Sequence, residues 1–345
     1  MRARLPFVSM EPSPPTTLAG ATADVQASRP ATRVSLSRVG VTGVEKVIRV
    51  QVNGAEQLYF AEFECFVDLN PDQAGVHMSR FEEVVAEAID RIVLGEAPLR
   101  AETLAAHIAE SVREGQGGLR AEVSLAARYP ETVPTPASGL KTQEIYTLFG
   151  TAVASERGTR RLTGVQAQGM TACPCAQEMV AGNARERLAQ QGFDEDEVER
   201  VIEAVPIATH NQRGIGTLYI GCPEGCQADI DARELLHIVE ESMSSEIYEM
   251  MKRPDELAVV EKAHAQPRFV EDCVREMVRR VIDGFADLDR DAFVMARQEN
   301  LETIHRHNVV AERHGSLAEL RHEVESGEHL RHHLTMREWI EAPAG

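Results

Sequence analysis

The chain has 345 residues, 43% of them hydrophobic, and a formal charge of −19 from 36 Lys+Arg against 55 Asp+Glu. That length exceeds the usual single-core size, so two domains or one fused double domain is expected, and no apolar run approaches the roughly 18 residues of a membrane helix. So acidic a surface repels phosphate backbones and acidic lipid, which excludes broad nucleic-acid binding and demands a local basic pocket for any phosphate-bearing ligand.

Residues 1–30 carry Pro-Ser-Pro-Pro and Ala/Ser/Thr-rich stretches with few large apolar side chains, and read as a flexible arm. Arg2 and Arg4 precede no sustained apolar run, so a signal peptide is not indicated and a cytoplasmic protein is expected. Residues 33–52 and 57–69 are rich in Val, Ile and aromatics around Asn53-Gly54, the pattern of an antiparallel hairpin. Phe81, Val84, Val85, Ala88, Ile89, Ile92 and Val93 then recur at helical spacing, with Ser79 ahead as an N-cap and Glu82 three residues on. A second helix over 100–114 is closed by Gly115-Gln116-Gly117-Gly118. Strand character returns over 119–127 and over 142–156, where the Ile145, Leu148 and Phe149 spacing equally fits a helix.

The second half repeats the rhythm: a strand over 161–171, a polar helix over 176–191, a hairpin of 217–222 with 227–230, helices over 231–252 and 268–285, and a strand over 292–298. The shared order suggests two tandem copies of one antiparallel ββαα-type unit in an α+β fold. Beyond Gly315 the chain turns rich in His, Glu and Arg with a helical pattern, a surface extension whose five histidines from His314 to His333 read as solvated, with metal storage the lesser alternative.

Six cysteines in this length follow no secreted framework and favour a reducing compartment with metal or catalytic use. Cys173-Pro-Cys175 is too tight for both sulfurs to chelate one ion, so one cysteine, Cys173, is expected to carry the function; the bland reading is a buried small hydrophobe. Thr209-His210-Asn211-Gln212-Arg213 packs hydrogen-bonding side chains into a loop, where His210 is either a ligand or a solvated surface imidazole. Glu249, Lys252, Arg253, Asp255 and Glu256 crowd a helix end stopped by Pro254; a carboxylate from this group would complete an open Cys/His/Glu site, and an ordinary charged terminus is the alternative. Glu302 and His305 share a face if their segment is helical, as an acid/base pair or a further ligand. Cys222-Pro-Glu-Gly-Cys226 looks like half a zinc knuckle, but its Pro and Gly fit a turn and it is read as structural.

Thr171-Ala-Cys-Pro-Cys-Ala-Gln-Glu178 with Pro206-Ile-Ala-Thr-His-Asn-Gln-Arg-Gly214 resembles the metal-dependent GTP cyclohydrolases of the type IB and archaeal kind. The likeness extends through His77-Met-Ser-Arg-Phe81, Lys252-Arg-Pro-Asp-Glu256, Phe269-Val-Glu-Asp272, Gln298-Glu-Asn300 and Ile304-His305, from about residue 24 to 313. It implies a tunnelling fold of two modules, 31–158 and 159–313, the second with the metal site, between the arm and the extension at 314–345, with subunits assembling as a homotetramer. It also implies hydrolysis of GTP at guanine C8, with release of formate and closure to 7,8-dihydroneopterin triphosphate at the entry to folate and pterin biosynthesis; archaeal members give the 2′,3′-cyclic phosphate instead. Cys173, His210, Glu256 and His305 correspond to ligands of one divalent ion, Fe(II), Mn or Zn, which would acidify a water for the attack. Glu271 corresponds to the anchor of the guanine edge and Glu302 to a proton carrier, while Arg80, Arg213, Lys252 and Arg253 are the cations nearest in sequence for the triphosphate. Another tunnelling-fold enzyme with Cys173 as covalent nucleophile, and a zinc-stabilised binding module built on Cys173, Cys175, Cys222 and Cys226, are the alternatives.

Overall fold

A computed structural model describes residues 25–52, 55–92, 100–226 and 228–341. The expected arm falls almost wholly, and the Asn53-Gly54 turn entirely, outside the described residues. β1 (Leu36–Val52) and β2 (Ala55–Leu69) pair antiparallel down to Val52 opposite Ala55, as the hairpin pattern required. α1 (Met78–Ile92) and α2 (Ala101–Gln116) follow, then β3 (Arg120–Pro134) and β4 (Lys141–Ser155), a strand despite its helix-like apolar spacing. α1 starts before Ser79, so this serine lies in the first turn rather than capping it; the Gln116 side-chain amide instead accepts from His77 N–H and donates to His77 C=O, holding the helix entry.

The second module opens with β5 (Gly158–Ala172), α3 (Pro174–Gln190), α4 (Glu195–Ala204) and β6 (Asn211–Cys222). It continues through α5 (Ala232–Glu241), β7 (Ser245–Glu246), α6 (Arg253–Ala265), α7 (Val270–Gly284), β8 (Phe293–Leu301) and β9 (Val309–Ser316). α8 (Leu317–Ser326) and α9 (Met336–Glu341) end the described chain. The strands form one antiparallel sheet ordered β1-β2-β3-β4-β5-β6-β8-β9, with β7 on β5. The first half is two strands, two helices and two strands, and the second keeps that frame of strands β5, β6, β8 and β9 with α3 and α4 set between β5 and β6, the tandem α+β arrangement that the tunnelling-fold resemblance implied.

Strand alternation sends one face of the sheet under the helices. Leu104, Ile108 and Val112 of α2 pack with Val123 and Leu125 of β3, and Leu235 and Val239 of α5 with Met277 and Val281 of α7 join Leu218, Ile220, Val294 and Ala296. On the other face Leu162 and Phe293 meet Trp339 of α9.

Three local expectations fail for physical reasons. Residues 228–230 are not a strand, because β6 already bonds β5 on one side and β8 on the other and offers no free edge. The helix expected over 231–252 stops at Glu241, where Ser242 Oγ donates back to Ile238 C=O and Ser244 Oγ accepts Ala172 N–H, short polar side chains competing with the helical ladder. Glu302 and His305 lie in the loop between β8 and β9 rather than on a helix.

Lys252-Arg-Pro-Asp-Glu256 folds as a helix start. Lys252 caps α6, Pro254 occupies its first turn, and fully buried Asp255 accepts from Lys252 N–H (2.9 Å), Ala137 N–H (2.9 Å), Ser138 N–H (2.7 Å) and Ser138 Oγ (2.6 Å), tying α6 to the β3–β4 turn. Burial pushes its carboxyl pKa up, but these hydrogen bonds outweigh it and hold the group well below the usual Asp range. A pKa depressed on folding contributes stability that is complete above the unfolded value, about 3.9, and drains away as pH falls below it. Asp255→Asn is therefore expected to lower Tm by several degrees at pH 7, with the gap to the parent narrowing between pH 5 and pH 3; a gap independent of pH in thermal melts contradicts this.

Candidate active site

The ends of three neighbouring strands meet at one place. Cys173 follows β5, His210 precedes β6, and Glu302 follows β8, while the register sets Ala172 opposite Asn211 and Arg213 opposite Leu301. The loops are stitched by the backbone: Cys173 N–H donates to His210 C=O at 3.1 Å, Thr209 Oγ1 to Cys173 C=O at 2.7 Å, and Arg268 N–H to Ala172 C=O at 3.0 Å. A pocket of about 660 Å³, open to solvent, is lined there by Cys173, His210, Glu271, Glu302 and His305, with Gln212, Arg268, Asn300 and His307 beside them.

Cys173 is the N-cap of α3, its Sγ accepting Ala176 N–H at 3.5 Å, with Pro174 starting the helix where no N–H is needed. Cys175 is exposed one step along that helix. Nδ1 of His210 faces two acceptors, Gln212 Oε1 at 3.0 Å and Glu302 Oε2 at 3.8 Å, which keeps the ring proton on Nδ1 and leaves Nε2 as a lone-pair donor. Gln212 is itself held by Nε2 donating to Thr171 Oγ1 at 3.1 Å, both residues being buried. Gly214 closes this strand segment because a Cβ there would stand 2.4 Å from Gln298 Nε2, the amide that donates to Asn300 Oδ1 at 3.1 Å. His305 and His307 stack with centroids 5.2 Å apart.

Glu302 Oε2 is buried and has no hydrogen-bond partner, a state that calls for a counter-charge or donor. A thiol, an imidazole lone pair and carboxylates are the donor set that suits Zn, Fe(II) or Mn, so the residues fit a divalent ion, although no three such side chains among the described residues already form a metal-holding group.

Five of the residues singled out in the sequence thus share the pocket, and five do not. Glu256 is exposed in the first turn of α6 and does not line it; the neighbouring Asp255 points inward and takes the structural bonds. Arg213 alternates outward from buried Gln212 on β6, Arg80 donates to Gly115 C=O at 3.2 Å on α1, and Lys252 and Arg253 are exposed at the start of α6. The cation that does line the pocket is Arg268, whose Nη1 donates to Glu241 C=O at 3.0 Å. It sits in a short link before α7, directly ahead of Phe269-Val-Glu-Asp272, where adjacency to that motif was the available signal, whereas Gln212 and Asn300 stood inside quoted motifs without a role.

The four-cysteine zinc module is ruled out by topology. Cys222 pairs with Arg161 at the opposite end of β5 from Cys173, eleven strand residues or roughly 36 Å away. Cys222 and Cys226 instead hydrogen-bond across a turn, and burial, then Cys226, pushes the Cys222 thiol up to about 12.

The profile of the family described as type I GTP cyclohydrolase folE2 matches residues 22–311. A protein named GTP cyclohydrolase MptA from Methanococcus maripaludis (strain C6) is 42% identical over 310 residues, covering 88% of this chain and 98% of that protein. One of the same name from Methanothermobacter thermautotrophicus is 41% identical over 308 residues, 88% of this chain and 96% of that protein. Among solved structures, uricase from Arthrobacter globiformis superposes with a TM-score of 0.49 at 10% identity, covering 87% of this chain and 98% of that one.

Proposed function

The chain belongs to the type I GTP cyclohydrolase family and is an enzyme of that class; from that premise we propose that it hydrolyses GTP at guanine C8 in the pocket at the ends of β5, β6 and β8. The convergence there of Cys173, His210, Glu302, His305 and Glu271 carries this reading. Cys173 and His210 Nε2 would hold one divalent ion, Fe(II), Mn or Zn, with His305, which lines the same pocket, as the further ligand that the resemblance implies. Bound there, such an ion supplies Lewis acidity and a water acidified for attack at C8.

The chain's own residues do the rest. Glu271, exposed on the first turn of α7 toward the pocket, accepts guanine N1–H and N2–H in parallel and so selects and orients the purine. Glu302, beside His210, takes a proton from the attacking water, returns it to the departing ring nitrogen and serves again in hydrolysis of the formyl group. Arg268 is the pocket's cation for the phosphate end. The carboxylate of Glu256 belongs to the ligand set by resemblance; being exposed on α6, it would reach the ion of a second copy in a homotetramer. A cytoplasmic setting fits the unpaired thiols, and among the described residues no helix is long and apolar enough to cross a membrane.

The product is 7,8-dihydroneopterin triphosphate on the main reading. The 2′,3′-cyclic phosphate, which the resemblance to the archaeal members implies, is the second. Protein reconstituted separately with Fe(II), Mn(II) or Zn(II) and incubated with GTP is expected to release formate and a dihydroneopterin phosphate in equal amounts, chromatography distinguishing the two esters. No formate with any of the three ions would falsify the activity.

A further inference from the structure

His210 and Gln212 stand two residues apart at the entry to β6, so a strand's period sends both side chains to the pocket face, away from Arg213. Gln212 lies directly opposite Thr171 of β5 in the strand register, and Cys173 follows Thr171 by two residues. The Gln212 amide spans these segments: Nε2 donates to Thr171 Oγ1 at 3.1 Å, and Oε1 stands 3.0 Å from His210 Nδ1. Thr171 is fully buried and Gln212 is 5% exposed, a position where an amide is costly unless its hydrogen bonds are made. A methionine would fill the same space with no polar group to satisfy; what the amide alone supplies is an acceptor for the imidazole.

Two acceptors face the Nδ1 edge of that ring, and their distances separate them. Glu302 Oε2, at 3.8 Å, is beyond hydrogen-bond reach and has no partner of its own. Gln212 Oε1 lies at an ordinary N–H···O separation. Which nitrogen of a neutral imidazole carries the proton is set by the hydrogen bond that the other environment offers, so the amide, rather than the carboxylate, decides for Nδ1. The amide's own direction is fixed in turn: with Nε2 committed to Thr171, Oε1 is the atom left for the ring.

We propose that Gln212 is a positioning residue of this site: its carbonyl oxygen, held by Thr171, fixes His210 as the Nδ1–H tautomer with Nε2 bare, and leaves Glu302 free to carry protons. The consequence for metal binding rests on the reading of His210 as a ligand, since a nitrogen that keeps its proton has no lone pair to offer a cation. The same amide joins the strand that leads into Cys173 to the strand that His210 precedes, so the thiol and the imidazole are carried by segments locked in one register.

Metal-free, full-length protein labelled with nitrogen-15 histidine reports the tautomer through its two ring-nitrogen shifts at about pH 8, above the ordinary imidazole range; the His210 signals are those missing from His210→Ala. A protonated Nδ1 and a bare Nε2 are expected in the parent and in Glu302→Gln. The same is expected in Gln212→Glu, whose carboxylate accepts from both the imidazole and the Thr171 hydroxyl. In Gln212→Met the proton moves to Nε2, and the apparent Zn(II) affinity falls about tenfold or more. A parent with its proton on Nε2, a Gln212→Met protein of parental melting temperature that keeps it on Nδ1, or a Glu302→Gln protein that loses it from Nδ1 overturns the proposal. Because the tautomer is read without metal or substrate, absence of formate release with every ion counts against the activity alone and leaves the role of Gln212 standing.

Discussion

Cys173→Ala and His210→Ala are each expected to lower kcat for GTP by at least about a thousandfold, equivalent to about 4 kcal/mol of transition-state stabilisation, while leaving the melting curve close to that of the parent. Each change deletes one proposed donor to the ion; His210→Ala also removes the Nδ1–H bond to Oε1 of buried Gln212, at a modest cost in stability. The remaining structural bonds at these positions run through the backbone: Cys173 N–H to His210 C=O, and Thr209 Oγ1 to Cys173 C=O, both available to alanine. Cys173 also gives up a weak N-cap, a small cost for a helix whose first turn already has Pro174. Formate release and metal content, measured on the same preparations, should fall together. Cys222→Ala supplies the contrast, since that thiol lies at the far end of β6 and should leave turnover intact. Undiminished turnover in both site variants removes the assignment, whereas lost turnover with metal fully retained in Cys173→Ala would favour the covalent nucleophile.

Much of this site was legible because its residues lie in short, chemically dense segments whose order follows the strands. The β1–β2 hairpin, α2 and α7 were visible for a similar reason: each has one apolar face at an unambiguous period, ending in turn residues. Elements with mixed surfaces were not. α6 scatters its apolar residues, with Leu257 and Val260 exposed and Val259 buried, so no one face stands out, and β9 is an edge strand whose Glu312, Arg313 and His314 mask its alternation. β4 shows the opposite ambiguity, since Ile145, Leu148 and Phe149 satisfy a helical period; pairing with β3 along its whole length and with β5 decides for strand. The cations named for the phosphate do not line this chain's pocket, because sequence proximity to a motif says nothing of direction. Arg213 adjoins Gln212, yet a strand's two-residue period turns it to the opposite face, and Arg268, distant from every metal motif, reaches the pocket through the start of α7.

Glu256 gives the second large effect. By resemblance it is a ligand, yet it is exposed on α6 while its neighbour Asp255 is buried in structural hydrogen bonds, so within one chain the motif has a fold-making half and a half that faces outward. If the carboxylate acts across a subunit boundary, Cys173→Ala chains retain a competent Glu256, and Glu256→Ala chains a competent Cys173 and His210. Each variant alone is then expected to be inactive, and hybrids formed by co-expression to regain turnover, with about one site in four complete when equal amounts mix at random across a symmetric assembly. Because the starting activity of each parent is near zero, even a tenth of that recovery is measurable by formate release. Mixtures that stay inactive although tagged subunits co-purify as hybrids would rule out the shared site and confine Glu256 to its own chain. The comparison does not depend on stability, since neither substitution touches Asp255 or the β3–β4 turn that it secures.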